Sequence, residues 1–317
     1  MVQAVCSDTT GSNTGQRNGV FVLIEKQQGR TLLYLACRHH MAKIILKNVF
    51  EVSVNVSSGP EVSIFKRFPN QWPTIDQKKF LIGIAHKNIP PILREKSNKI
   101  LQFVQQKLTE DHCRDDYKEL LELVCIFLGG TPPRGIKFYK PGAIHEARFM
   151  SKAIYSLKIV MFKNQIKLTA KKEKGSTAVS VFVAVLYVKY WFTASDVISA
   201  PRNNFQFLLD LKLYEKTDNL ISNTALKKFS GHLWYISQEL TGLALLDDSL
   251  HLSVKSKMVK KISTKTSRSE PPSSRAMEGS GLQRIKVTSQ HLNNWLKNDL
   301  SHFVTPNTIK LFERFVL

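Results

Sequence analysis

The sequence predicts a mixed protein, α/β over its first fifty residues and all-α through its middle, and three observations carry that reading. Two short apolar runs suited to strands, Val2 to Cys6 and Leu32 to Ala36, alternate with stretches of helical spacing. Between residues 89 and 254 apolar side chains recur every three or four positions, the repeat of a helix that buries one face. A chain of 317 residues with 43% hydrophobic content can also bury a sizeable core.

Taken in order, the first run ends at Asp8, and Thr9 to Gly19 is rich in Gly, Ser, Thr and Asn, as a loop after a strand should be. A helix is expected next, with Val20, Phe21, Leu23 and Ile24 on its buried side and Gly29 as its stop. Leu32 to Ala36 suits an inner parallel strand, and Met41, Ile44, Ile45 and Val49 return to helical spacing. Residues 1–51 thus read as a βαβα unit. Residues 52–88 lose the pattern and read as an ordered surface loop, in which Phe65, Lys66, Arg67, Phe68 and Trp72 interleave aromatic and basic groups.

Residues 89–254 read as a helical domain. Leu120, Leu121, Val124 and Phe127 share one side of a helix that stops before Gly129, Gly130, Pro132 and Pro133. After Pro141 and Gly142, the series Ala143, Ala147, Met150, Ile154, Leu157 and Met161 predicts a helix whose opposite side is wet. Two more helices are expected, over Ala178 to Thr193 and over Thr224 to Leu250. Residues 255–284 read as a basic flexible linker, since 255 to 275 hold seven Lys or Arg against one Glu. Residues 285–317 regain apolar anchors at Leu292, Trp295 and Leu296, with a helix near Pro306, and read as a truncated C-terminal segment. No internal repeat stands out.

A formal net charge of +21 makes nucleic acid or an anionic membrane the expected partner, because a field of that sign concentrates polyanions around the whole molecule. No run reaches the 18 or so apolar residues of a bilayer span; Val179 to Phe192 comes nearest and is interrupted by Ser180 and Lys189. That leaves DNA as the partner class and no membrane. The start lacks a basic segment followed by an apolar run, so a nuclear or cytoplasmic location is expected. Cys6, Cys37, Cys113 and Cys125 are too scattered for a disulfide scaffold and read as reduced thiols.

Two places carry chemistry. Asp8 would stand at the C-terminal end of a strand, where a carboxylate is a directed ligand for a hard cation such as Mg²⁺; the plain alternative is an Asx-turn. Cys37 and His40 would face each other where the second strand opens into a helix. Zinc is not expected there, because no second ligand pair of matching spacing stands nearby, although His112 and Cys113 could be recruited; a structural pairing is the simpler reading.

Together these residues resemble a family. A strand ending in Asp8, Asn13 in the following loop, then a strand and Cys37-x-x-His40 opening a helix, resemble the catalytic core of hAT-type cut-and-paste transposases. The resemblance implies a partial RNase H-like core followed by a large helical insertion, with Asp8 as the second acidic residue of an Asp, Asp, Glu triad. It implies two Mg²⁺ or Mn²⁺ ions that activate a nucleophile and stabilise the leaving oxygen of a phosphodiester. It places Arg148 and Phe149 where the family usually has an Arg-Trp pair, a departure at the aromatic position. The first Asp of the triad would lie upstream of Asp8; for the closing Glu, Glu313 is the late candidate and Glu239 the alternative, its helix reading as insertion core.

Two basic groups would serve DNA. His145, Arg148 and Lys152 share the polar face of the helix from Ala143, which otherwise is a solvated face. Lys66, Arg67, Lys78 and Lys79 surround Phe65, Phe68 and Trp72, which could meet unstacked bases or be buried. The expectation is a transposase-derived DNA-binding protein with an incomplete metal-dependent site, inactive alone, with self-association as a further possibility. The alternative is a host-recruited, non-catalytic DNA-binding or scaffold protein built on helices.

Overall fold

The structure is a computed structural model, and it describes residues 4–15, 17–54, 63–83, 91–110, 114–142, 150–264 and 288–313. It confirms the coarse class: a small parallel sheet and many helices. The chain divides into two units. The strand unit comprises Met1–Ala42, Phe192–Lys212 and Leu226–Leu317, and the helical unit Lys43–Trp191 and Leu213–Ala225.

In the strand unit, β1 (Ala4–Ser7) pairs in parallel with β2 (Leu33–Ala36), in a register that sets Ala4 beside Leu33 and Ser7 beside Ala36. Parallel neighbours need a crossover. It is made by a helical turn, α1 (Gly11–Thr14), and by α2 (Val20–Gln28). Gly29 ends α2 at φ +63°, the left-handed conformation that lets its N–H close on the Glu25 and Lys26 carbonyls. The buried side of α2 differs from the expected one: Phe21 and Val22 are buried, whereas Val20 and Leu23 are exposed. Phe21 meets Tyr34 of β2 edge to face at 5.2 Å, and that contact sets the rotation of the helix.

After β2 the chain enters α3 (Arg38–Val54), close to the span expected. Leu33, Tyr34, Ala36 and Met41 share a core with Trp234, Tyr235, Leu240, Leu243 and Leu311. The single helix expected over 224 to 250 is absent. Instead α10 (Ala200–Tyr214) and α11 (Asn219–Phe229) are followed by two 3₁₀ stretches, Trp234–Ile236 and Leu240–Leu246, and residues from Leu226 onward belong to the strand unit rather than to a helical insertion.

The expected linker is also corrected at its start. Residues 255 to 262 lie on α12 (Leu252–Ile262), where Met258 is buried. Lys257 pairs with Asp299 at 2.8 Å and Lys261 donates to the Ser301 carbonyl at 2.6 Å, so two lysines counted as linker charge tie this helix to the C-terminal segment. Residues 265 to 284 of that segment fall outside the described ones. The C-terminal segment folds as α13 (Ser289–Trp295), two 3₁₀ turns and α14 (Ile309–Glu313), with Phe303 set against Phe205 and Trp295.

The helical unit contains α4 (Ser63–Gln71), α5 (Pro91–Lys107), α6 (Asp115–Phe127) and α7 (Ser151–Met161). It also holds a continuous 23-residue helix, Ala170–Phe192, made of α8 (Ala170–Phe182), a π turn (Val183–Tyr187) and α9 (Val188–Phe192). By length and composition this helix could cross a membrane, but most of its apolar window is buried within the protein. Where α8 meets α3, a Cβ on Gly175 would stand 2.3 Å from the Ser53 carbonyl oxygen, so only glycine allows that approach.

Part of the expected surface loop is therefore helical. Phe65, Phe68 and Trp72 fall at positions i, i+3 and i+7, one face of a helix, and all three are buried. Over its described residues α7 is buried all round except at Lys152, so no wet side continues along Ala153–Met161. Its one fully buried charge, Lys158, pairs with Glu119, donates to the Tyr139 carbonyl at 2.8 Å and lies 5.4 Å from the centre of the Trp72 ring.

Candidate functional site

The site residues of the strand unit gather at the C-terminal ends of β1 and β2. The ladder runs one step beyond β2, where the Cys37 N–H donates to the Ser7 carbonyl at 2.8 Å. The Tyr34 hydroxyl, on the other strand, donates to the Asp8 carbonyl at 3.0 Å. These two bonds hold the backbone where β1 gives way to its loop.

The Asp8 side chain is organised by its own loop. Its Oδ1 accepts the Thr10 N–H at 3.0 Å, the Thr10 hydroxyl at 2.6 Å and the Asn13 amide at 2.6 Å. These donors, Thr10 first, hold the carboxyl below the ordinary aspartate value, and the charge of His40 adds to the effect. Asn13 is thus brought onto Asp8. The geometry is that of the Asx-turn named as the plain alternative, with Oδ2 accepting from no described residue.

The second expected pairing is altered. The groups that act on the Cys37 sulfur are the Cys6 and His39 side chains and the His40 backbone. The reason lies in strand alternation. Cys6 stands opposite Leu35, so Cys37, two residues on, projects to the same side of the sheet as Cys6. Donation from Cys6 and His39 pulls the Cys37 thiol down, and the same bond together with burial pushes the Cys6 thiol up. His40 instead lies within electrostatic reach of both Asp8 and His232. Burial pushes His232 down to about 4, and its ring stacks on Trp234 at 5.1 Å. One residue further, the buried Tyr235 hydroxyl donates to the Ala36 carbonyl at 2.9 Å, fastening this segment to the end of β2.

Cys6, His232 and Tyr235 were not expected at this site. Cys6 could have been found, since a residue two positions before Asp8 on a strand must share its side. Nothing near His232 or Tyr235 in the sequence points to the strand ends, because the contacts span about two hundred residues of chain.

A divalent cation needs several oxygen ligands. Among the described residues no group of three or more His, Cys, Asp or Glu side chains is arranged to hold a metal ion, so Asp8 with its neighbours does not form a fitting donor set. Glu239, however, stands in the strand unit, between Tyr235 and Leu240 of the core shared with β2, and not in a helical insertion. Glu313, at the end of α14, is in the same unit.

The expected DNA contacts are dispersed. His145, Arg148 and Phe149 lie outside the described residues. Lys152 is half-buried on α7, 5.9 Å from the centre of the Phe50 ring. Lys66 lies on α4 beside the exposed Arg67. Trp72 is buried against Phe68 and Phe162, both at 5.6 Å, so its ring is not presented to bases. On α12, by contrast, Lys257 and Lys260 are exposed and Lys255 half-exposed.

No family model, no curated protein and no solved structure matches this chain.

Proposed function

We propose that the chain is a transposase-derived DNA-binding protein whose strand unit is the remnant of an RNase H-like core, with an acidic site too sparse to cut or join DNA alone. The observation that supports this most directly is the placement of Asp8. It ends one strand of a parallel pair, held by Asn13, beside a second strand that opens into a helix through Cys37 and His40. The net charge of +21 supports a polyanionic partner, and a nuclear location follows from that partner. Glu239 is the better candidate for a second acidic member than the insertion reading allowed, because its segment packs with β2.

Binding would rest on lysines contacting phosphates without reading bases. The test is fluorescence-anisotropy titration of labelled duplexes of unrelated sequence at several salt concentrations, with nicking assayed in parallel in Mg²⁺ or Mn²⁺. Binding should be steep in salt and indifferent to sequence. Replacing Lys255 and Lys260 by Gln should weaken it and lower the salt slope by about 2. Asp8→Asn should leave binding unchanged. Absence of binding at low salt would overturn the DNA reading; nicking lost on Asp8→Asn or Glu239→Gln would overturn the inactive site.

A further inference from the structure

We propose that Cys6 and Cys37 form a redox-responsive thiol pair that closes to an intramolecular disulfide when the protein meets a peroxide. The inference does not depend on the proposed DNA binding. It begins with register: Cys6 lies directly opposite Leu35 in the parallel pair, and the bond from Cys37 N–H to Ser7 O carries the ladder one residue past β2. Alternation then sets Cys6, Leu35 and Cys37 on one side, with the two cysteines as diagonal neighbours on adjacent strands. The two thiols act directly on each other through their side chains, and because diagonal positions stand slightly wider than a disulfide spans, closure draws the two strand ends together. Cys6 is exposed and Cys37 partly so, which gives an oxidant access. The buried Cys125 lacks such access.

The chemistry closes with hydrogen peroxide as the oxidant. The Cys37 sulfur attacks one peroxide oxygen, an S–O bond forms and the O–O bond breaks. The thiol proton leaves with the departing hydroxide as water, giving a sulfenic acid. The Cys6 sulfur then attacks the sulfenic sulfur, an S–S bond forms and the S–O bond breaks. The Cys6 proton and that hydroxyl leave as a second water. Two thiols lose two electrons in all, and one peroxide gains them. The bridge would join the end of β1 to the start of α3 on the side of the sheet that carries Asp8.

The test uses the full chain, reduced, exchanged into thiol-free buffer, treated with near-stoichiometric hydrogen peroxide, quenched in acid and digested with trypsin. Cleavage after Arg17, Arg30 and Arg38 separates the two cysteines onto different peptides. Mass spectrometry should find these peptides joined, two hydrogens lighter than their sum, and separated again by dithiothreitol. In Cys6→Ser the reaction should stop at a sulfenic acid on Cys37, trapped by dimedone. As a check that needs no variant, phenylarsine oxide, which captures paired thiols, should protect both cysteines of the reduced wild type from iodoacetamide. A peroxide-treated wild type without the joined peptides would overturn the proposal. So would linkage of either cysteine mainly to Cys113, to Cys125 or to a second chain, or alkylation of Cys6 and Cys37 undiminished by phenylarsine oxide.

Discussion

The two units differ in how they handle buried polarity, although each holds a buried ion pair, the strand unit's being Asp247 with Arg202. The helical unit buries charge against charge: Lys158 pairs with Glu119, and Arg134 with the buried Glu122. In the strand unit the buried Arg38 is met by amide and carbonyl oxygens, with its Nε 2.9 Å from Asn204 Oδ1 and its Nη1 bonded to the Thr193 carbonyl. Asp8, at the strand ends, relies on donors from its own loop. A buried ion pair is stable only while both partners are present, whereas a carboxylate served by nearby hydroxyl and amide groups can be altered at little cost to the fold. The fully buried Lys158 of the helical unit is therefore the place where one lost charge should be felt most, and the Asp8 loop the place where it should be felt least.

That contrast is sharpened first at Lys158. Its amine is held below the ordinary lysine value by burial, with Glu119 acting the other way. Lys158→Ala would leave Glu119 in a buried site without its cation and should cost about 3–5 kcal/mol in urea unfolding. Lys158→Met combined with Glu119→Leu should recover most of that loss, because it removes both charges and keeps the volume. If the single variant were neutral, the burial of Lys158 would not set the helical unit apart.

The next effect is on pH. His232 has its folded value pushed from 6.5 to about 4 by burial, with His40 and Lys228 adding to it. Its neutral form is favoured in the fold, so the associated stability is complete above pH 6.5 and lost as pH falls toward 4. The loss should reach at most about 3 kcal/mol. His232→Phe should flatten stability over that interval, read from urea midpoints at pH 7 and pH 4.

Tyr235→Phe removes the bond to the Ala36 carbonyl and should cost about 1 kcal/mol by the same method. Asp8→Ala should change stability by less than about 0.5 kcal/mol, as for a loop position whose side-chain partners all lie within five residues of it. A cost above about 2 kcal/mol there would break the comparison, since Asp8 would then be a structural strut.

Much of the secondary structure was legible. The β1 and β2 runs, the helix after β2 and the helix over Asp115–Phe127 follow from apolar spacing and from their stops at Gly29 and before Gly129. The Asx-turn at Asp8 was legible too, because its Thr10 donors stand two residues away. Misreadings came where local composition suggested water. Phe65, Phe68 and Trp72 sit among basic residues and a proline, yet their spacing is helical and they are buried. The helix through Met161 was expected to keep one side wet, yet Lys158 on it is buried with Glu119 and the Tyr139 carbonyl around it.

By itself the sequence determined which segments are apolar on one side, where the chain turns, and that its charge favours a polyanion. These are properties of neighbours in the chain, and they follow from periodicity and residue chemistry. Only the tertiary structure decided that Cys37 meets Cys6, and that His232, Tyr235 and Glu239 belong with the strands. Those contacts join residues far apart in the chain, and their partners are selected by which apolar faces pack together and which polar atoms then need satisfying.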